Sequence, residues 1–201
     1  MTARIELVSS SPKGVNTWII GDRDEVIVID PGRDPAAVLD VVGDREVLAV
    51  ICTHGHADQV AAAMEVADRD EAPVALHPKD RQLWREEHAD DAEIEMADGG
   101  TFEVADVALE VMYTPGHTDG SVCLYCEGLG VVFTGHVLAA DGPVRHSGEF
   151  PDFAEQINAI GEQLLTLPAG TRVLPGQGEE TTIGAAEKNF DSWFGEGPGS
   201  G

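Results

Sequence analysis

An apolar run, Val47-Leu48-Ala49-Val50-Ile51-Cys52, stops abruptly at Thr53-His54-Gly55-His56-Ala57-Asp58-Gln59. A continuous apolar segment of this length, bounded by polar turn residues, reads as a buried strand. Its C-terminal end delivers two imidazoles, one residue apart, into a tight loop. Much later a third stands on a Pro-Gly turn, in Thr114-Pro115-Gly116-His117-Thr118-Asp119-Gly120-Ser121. Three imidazoles presented by tight loops are the ligand count of an open catalytic zinc site. In an apolar core the same rings would leave several nitrogens in need of partners, and a metal satisfies them more readily.

The rest of the chain alternates short β-branched runs with helical stretches. Val15 to Ile20 and Glu25 to Ile29, separated by Gly21-Asp22-Arg23-Asp24, form a hairpin pattern. Asp34-Pro35 caps a helix through Val42, with Gly43 after its end. Gln59 to Arg69 is alanine-rich and helix-periodic, Val74 to His77 is a short strand, and Lys79 to His88 is a polar helix. Strands follow near 101–104, 107–113, 121–126 and 131–134. A helix spans Phe153 to Leu167, a strand Arg172 to Leu174, and a last helix Ile183 to Trp193. Strand runs followed by helices, twice over, predict two sheets face to face with helices outside. Residues 1–194 are expected to be one domain, and the Gly/Ser/Pro-rich stretch 195–201 a flexible tail.

With 12 Lys and Arg against 37 Asp and Glu the formal charge is −25. Such a surface repels phosphate backbones and anionic membranes, so neither nucleic acid nor a membrane is an expected partner. No stretch approaches the roughly 18 apolar residues of a membrane span, and a cytoplasmic location is expected. Three cysteines argue against a disulfide framework. Cys123 and Cys126 stand three apart on a strand and face opposite sides, so they read as buried thiols rather than a redox pair. Cys52 has the same reading. Of the seven histidines, His77 and His88 stand outside any motif and are read as ordinary core or surface residues.

The ordered set His-x-His-x-Asp, Thr-Pro-Gly-His-Thr, Phe133-Thr134-Gly135 and Pro175-Gly176-Gln177-Gly178 is similar to the metallo-β-lactamase superfamily, especially its small glyoxalase II-like hydrolases. The likeness covers about residues 4 to 194 and is more specific than any one motif. It implies an α/β fold, an αββα sandwich of two mixed sheets with the metal site at one edge. It also implies that His54, His56 and His117 hold a first metal, and that Asp58 lies beside it.

The chain departs from the family where a second metal would sit. The family usually has His, Asp and His where this chain has Gln59, His136 and Gln177. A glutamine carbonyl is a poor substitute for imidazole on a transition metal, so one metal per chain is expected, zinc first and iron as the alternative. His136 is read as a further ligand. With three imidazoles, zinc lowers the pKa of bound water to about 7 and so supplies hydroxide for attack on a carbonyl. With His136 as a fourth, zinc is closed, whereas an octahedral metal keeps two positions free. Asp58, without a second metal, is a candidate general base or an acceptor that orients a histidine.

Gln59 and Gln177 become candidates for hydrogen-bonding substrate. Arg145 and His146, in the loop after His136, are candidates for gripping a substrate carboxylate. Relatives of this size imply a small-molecule thioester of a low-molecular-weight thiol as substrate. Three readings follow: a mononuclear zinc hydrolase of a thioester or related ester, a mononuclear iron oxygenase resembling the persulfide dioxygenases, and a metal-binding protein altered by drift or design so that its ancestral activity is lost or changed.

Overall fold

Successive residues of the central strands are both apolar because both faces of each strand are covered. In the computed structural model, which describes residues 2–9, 14–145 and 152–194, two six-stranded sheets stack with helices on their outer faces. The expected αββα sandwich is thus the observed one.

The first sheet is built from β1 (Arg4–Ser9), β2 (Asn16–Gly21) and β3 (Glu25–Ile29), then β4 (Glu46–Ile51), reached through helix α1 (Pro35–Val42). Helices α2 (Ala57–Val60) and α3 (Ala63–Asp68) lead to β5 (Val74–Leu76), and α4 (Arg81–Glu87) to β6 (Ile94–Glu95). These six strands lie side by side in chain order, antiparallel from β1 to β3 and parallel from β3 to β6.

The second sheet contains β7 (Thr101–Val104), β8 (Val107–Tyr113), β9 (Val122–Cys126) and β10 (Val131–Gly135). After α5 (Phe153–Glu162) it is completed by β11 (Arg172–Pro175) and β12 (Thr181–Thr182), and α6 (Ile183–Trp193) follows. β10 and β11 pair in parallel and the other neighbours antiparallel. Each sheet is therefore mixed.

The two-residue period sorts the strands between three cores. Ile20, Ile27, Ile29 and Ile51 meet Leu124, Val131, Phe133 and Leu174 between the sheets. Ile19, Val28, Val50 and Cys52 face α1 to α4 and the buried Trp84. Val132, Cys123 and Val173 face Ile157, Ile160 and Ile183 of α5 and α6. Cys123 and Cys126 accordingly sit in different cores, and all three thiols are buried. Burial pushes the Cys123 thiol up to about 12, which makes it inert as a nucleophile.

Some elements differ from expectation. β1 precedes the predicted hairpin and pairs along its whole length with β2. The helix predicted from Gln59 begins two residues earlier and is cut in two. Its cause is the Pro31-Gly32 loop: Gly32 N–H donates to the Gln59 carbonyl at 2.9 Å, and the Ala62 N–H donates to the Gly32 carbonyl at 2.8 Å. Helix α5 ends at Glu162, and a 3₁₀ turn at Leu164–Thr166 takes up the remainder of the predicted helix. Residues 195–201 and His146 lie outside the described residues. No helix among the described residues is long and apolar enough to cross a membrane.

At one edge the sheets are stitched together. The Val122 N–H donates to the Thr53 carbonyl at 2.9 Å, and Asn16 N–H to the Gly176 carbonyl at 2.8 Å. Trp18 Nε1–H donates across to the Pro175 carbonyl at 2.9 Å while its ring meets Phe133 edge-on. That edge is where the histidine loops converge.

Candidate metal centre

His54 and His56 leave the C-terminal end of β4, His117 stands on the turn between β8 and β9, and His136 follows β10. One coordinating atom from each lies within 4.8 Å of all the others. The ring centroids of His54 are 5.0 Å from His56, 4.9 Å from His117 and 4.7 Å from His136. Three of the rings are buried, and His56 is half-buried. The structure thus brings together all four histidines singled out by the motifs.

Neighbouring groups aim the rings. Thr53 Oγ1 donates to Asp30 Oδ2 at 2.7 Å, so it accepts from His54 Nδ1–H at 3.2 Å and leaves Nε2 for the cluster. His117 Nδ1–H donates to the Val144 carbonyl at 3.2 Å, and its Nε2 faces His56 Nδ1 at 3.2 Å. Two imidazole nitrogens bound tetrahedrally to one zinc are separated by roughly 3.4 Å, given bonds of about 2.1 Å. The observed 3.2 Å spacing matches that edge, and a neutral all-imidazole set suits zinc, iron or copper. The residues present fit a bound metal.

His136 is held differently. The Gln59 amide donates to His136 Nε2 at 2.9 Å, from a side chain with no exposed surface. Gln59 Oε1 is buried and makes no hydrogen bond. Gln59, singled out for substrate contact, is therefore engaged with a histidine. Gln177 is half-buried in the turn after β11, where it bridges to Val15. Asp58 is half-buried in the first turn of α2 and outside the four-histidine group. Arg145 lies over the Phe153 ring at 4.5 Å, in a cleft of about 280 Å³ between its own loop and α6 that none of the four histidines lines.

Two buried carboxylates beneath the histidine loops were not legible as site residues. Asp30 accepts from Thr53 N–H at 2.7 Å as well as from its hydroxyl, and burial pushes its carboxyl up to about 7 against those two bonds. Asp80 bonds Gly55, Thr118 and Gly120, and there too burial raises the carboxyl. In a chain with 37 acidic residues a lone Asp carries no signal. Thr53 and Thr118 support the loops, as their positions implied. His77 and His88 are indeed structural: one stacks on Tyr113 and caps a turn, and the other packs on Trp84 and bonds the Val60 carbonyl.

Comparison with known proteins matches residues 11–177 to the metallo-beta-lactamase superfamily model. The chain belongs to the metallo-beta-lactamase superfamily. A probable metallo-hydrolase, YqgX, of Bacillus subtilis is 29% identical, with 86% of this chain and 89% of the relative covered. Hydroxyacylglutathione hydrolase GloC of Haemophilus influenzae is 26% identical over 92% and 95% of the two chains. Among solved structures, BLEG-1 B3 metallo-beta-lactamase superposes with a TM-score of 0.84 at 27% identity, covering 92% of this chain and 97% of that one. ETHE1 from Myxococcus xanthus gives a TM-score of 0.82 at 25% identity over 96% and 86%. A superfamily of metallo-hydrolases and a histidine-rich metal site agree with each other.

Proposed function

We propose that this protein is a mononuclear metal-dependent hydrolase, with zinc as the resident metal, acting on a small thioester or related ester. The observation that carries the reading is the convergence of His54, His56, His117 and His136 at the sheet edge with glutamine at two positions where the family has histidine. When bound, the metal supplies an acidified water and a Lewis acid for the acyl carbonyl. His54, His56 and His117 would hold it, His54 aimed by Thr53 and His117 by the Val144 carbonyl. Gln59 engages Nε2 of His136 and so competes with coordination by that ring, which favours an open position for the reacting water. Asp58 takes the proton released by that water. Water oxygen would bond to the acyl carbon and the carbon–sulfur bond would break, the sulfur leaving as a thiol with the proton that Asp58 had taken. The likeness to the Haemophilus influenzae hydroxyacylglutathione hydrolase supports a thioester of a low-molecular-weight thiol. Gln177, in the turn after β11, and Arg145, next to the Val144 carbonyl that bonds His117, are our candidates for gripping a substrate carboxylate or amide group.

Metal analysis joined to an assay of a generic thioester tests this. About one zinc per chain, activity abolished by chelation and restored by zinc, and metal retained in His136→Ala are expected. Two metals per chain, or equal activity of chelated protein, would overturn it. A second reading, iron-dependent oxygenation, is favoured by the presence of four imidazoles, because an octahedral ion held by all four still has two positions for substrate and dioxygen. Oxygen consumption appearing only after ferrous loading would select it.

A further inference from the structure

Asp80 has no part in the chemistry above, yet both histidine loops are built around it. It closes the 3₁₀ turn Pro78–Asp80 after β5 and is 1% exposed. Its Oδ2 accepts from the Gly55 N–H at 2.8 Å and from the Thr118 hydroxyl at 2.7 Å, and its Oδ1 accepts from the Gly120 N–H at 2.7 Å. Gly55 stands between His54 and His56, and Thr118 directly follows His117. One carboxylate thus holds a loop from each sheet.

The two glycines record how close that approach is. A Cβ on Gly120 would fall 2.6 Å from Asp80 Cγ and Oδ1. On Gly55 it would fall 2.9 Å from the Asp80 carbonyl oxygen and 3.1 Å from Asp80 Cβ. Heavy-atom contacts this short are excluded by close packing, so both loops are shaped to admit this side chain. The Ser121 hydroxyl completes the network by bonding Thr118 Oγ1 and the Thr118 N–H.

We propose that Asp80 is a positioning residue for the metal centre: its carboxylate locks the His54–His56 loop and the His117 loop in mutual register, so that their imidazoles meet one ion without reorganisation. The inference rests on the metal reading of the histidine cluster. Asp80 acts through Gly55, Thr118 and Gly120 and is not itself a ligand. Bonds to an ionised carboxylate are stronger than neutral ones, and the strands leading into the loops are paired independently of it. Its loss therefore weakens metal binding more than it weakens the fold.

The test compares zinc affinity, by chelator competition on the full chain, with the thermal midpoint of the chelated protein. Asp80→Asn places an amide donor against one of the N–H groups, and Thr118→Val removes one arm. Asp70→Asn is the control, since Asp70 accepts from the Val47 N–H at 2.9 Å at the opposite end of β4. Zinc affinity is expected to fall about tenfold or more in Asp80→Asn, to fall less in Thr118→Val, and to hold in Asp70→Asn even where its midpoint drops. Unchanged zinc affinity in Asp80→Asn, or in Thr118→Val should the first variant fail to fold, would overturn the inference. Wild-type protein that takes up no zinc would instead refute the metal reading itself.

Discussion

Asp30 shows how much a single residue can do without reaching the surface. It is 1% exposed, sits at a positive φ of 51°, and anchors Thr53 by two hydrogen bonds, through which it orients His54. Its carboxyl is pushed up to about 7, first by burial and further by the charge of Asp58. The native state therefore holds a proton that the unfolded chain, with an ordinary carboxyl near 4, has released. Between those two values the folded form binds more protons than the unfolded one, so stability falls as pH rises through the window. Full ionisation costs about 4 kcal/mol on this account. The expected outcome is that chelated wild-type protein loses stability between pH 4.5 and 7.5 relative to Asp30→Asn, measured by denaturant unfolding at each pH; parallel profiles would contradict it. The histidines were legible because imidazoles in Pro-Gly and Gly turns are rare and local. Asp30 and Asp80 were not, because among the described residues it is burial that distinguishes them from the other carboxylic residues.

At the scale of an element, helix α5 is the seat of two metal loops. Its start is capped by Asp152, which accepts from the Glu155 N–H at 2.9 Å, and its apolar face packs Ile157 and Ile160 on the second sheet. From the same face the buried Gln156 donates to the Val137 carbonyl at 2.9 Å and lies 3.4 Å from that of His136. The His117 turn rides directly over its backbone. Gly116, at φ 128°, leaves no room for a side chain, since a Cβ would lie 2.2 Å from Gln156 N. Gln156→Leu leaves the Val137 carbonyl buried and unpaired, and is expected to cost about 1–3 kcal/mol in urea unfolding. A change within about 0.5 kcal/mol would show that water or a neighbour repairs the loss. The α5 helix itself was predictable from its apolar period, whereas the single glutamine on its buried face was not. The split between α2 and α3 was equally hidden, because the bonds that divide them come from Gly32, about thirty residues earlier in the chain.

Across the whole molecule, a formal charge of −25 is spread over a 201-residue fold. Repulsion of this kind opposes the compact state, and salt screens it over a Debye length of about 10 Å at about 0.1 M. Raising sodium chloride from about 0.05 M to about 0.5 M is therefore expected to raise the thermal midpoint, in chelated and zinc-loaded protein alike; a midpoint that falls with salt would mean that ion pairs such as Arg172–Glu180 outweigh the repulsion. What the sequence determined by itself was everything written in local pattern: the apolar strands, the helix periods, the layered fold and the four histidines at strand ends. Tertiary structure alone decided how those ends meet. The register between the two sheets, the pairing of Gln59 with His136 and the carboxylate of Asp80 between two glycines all depend on contacts between residues far apart in the chain. Such contacts leave no periodic trace, because each is selected by the space remaining after the cores have packed.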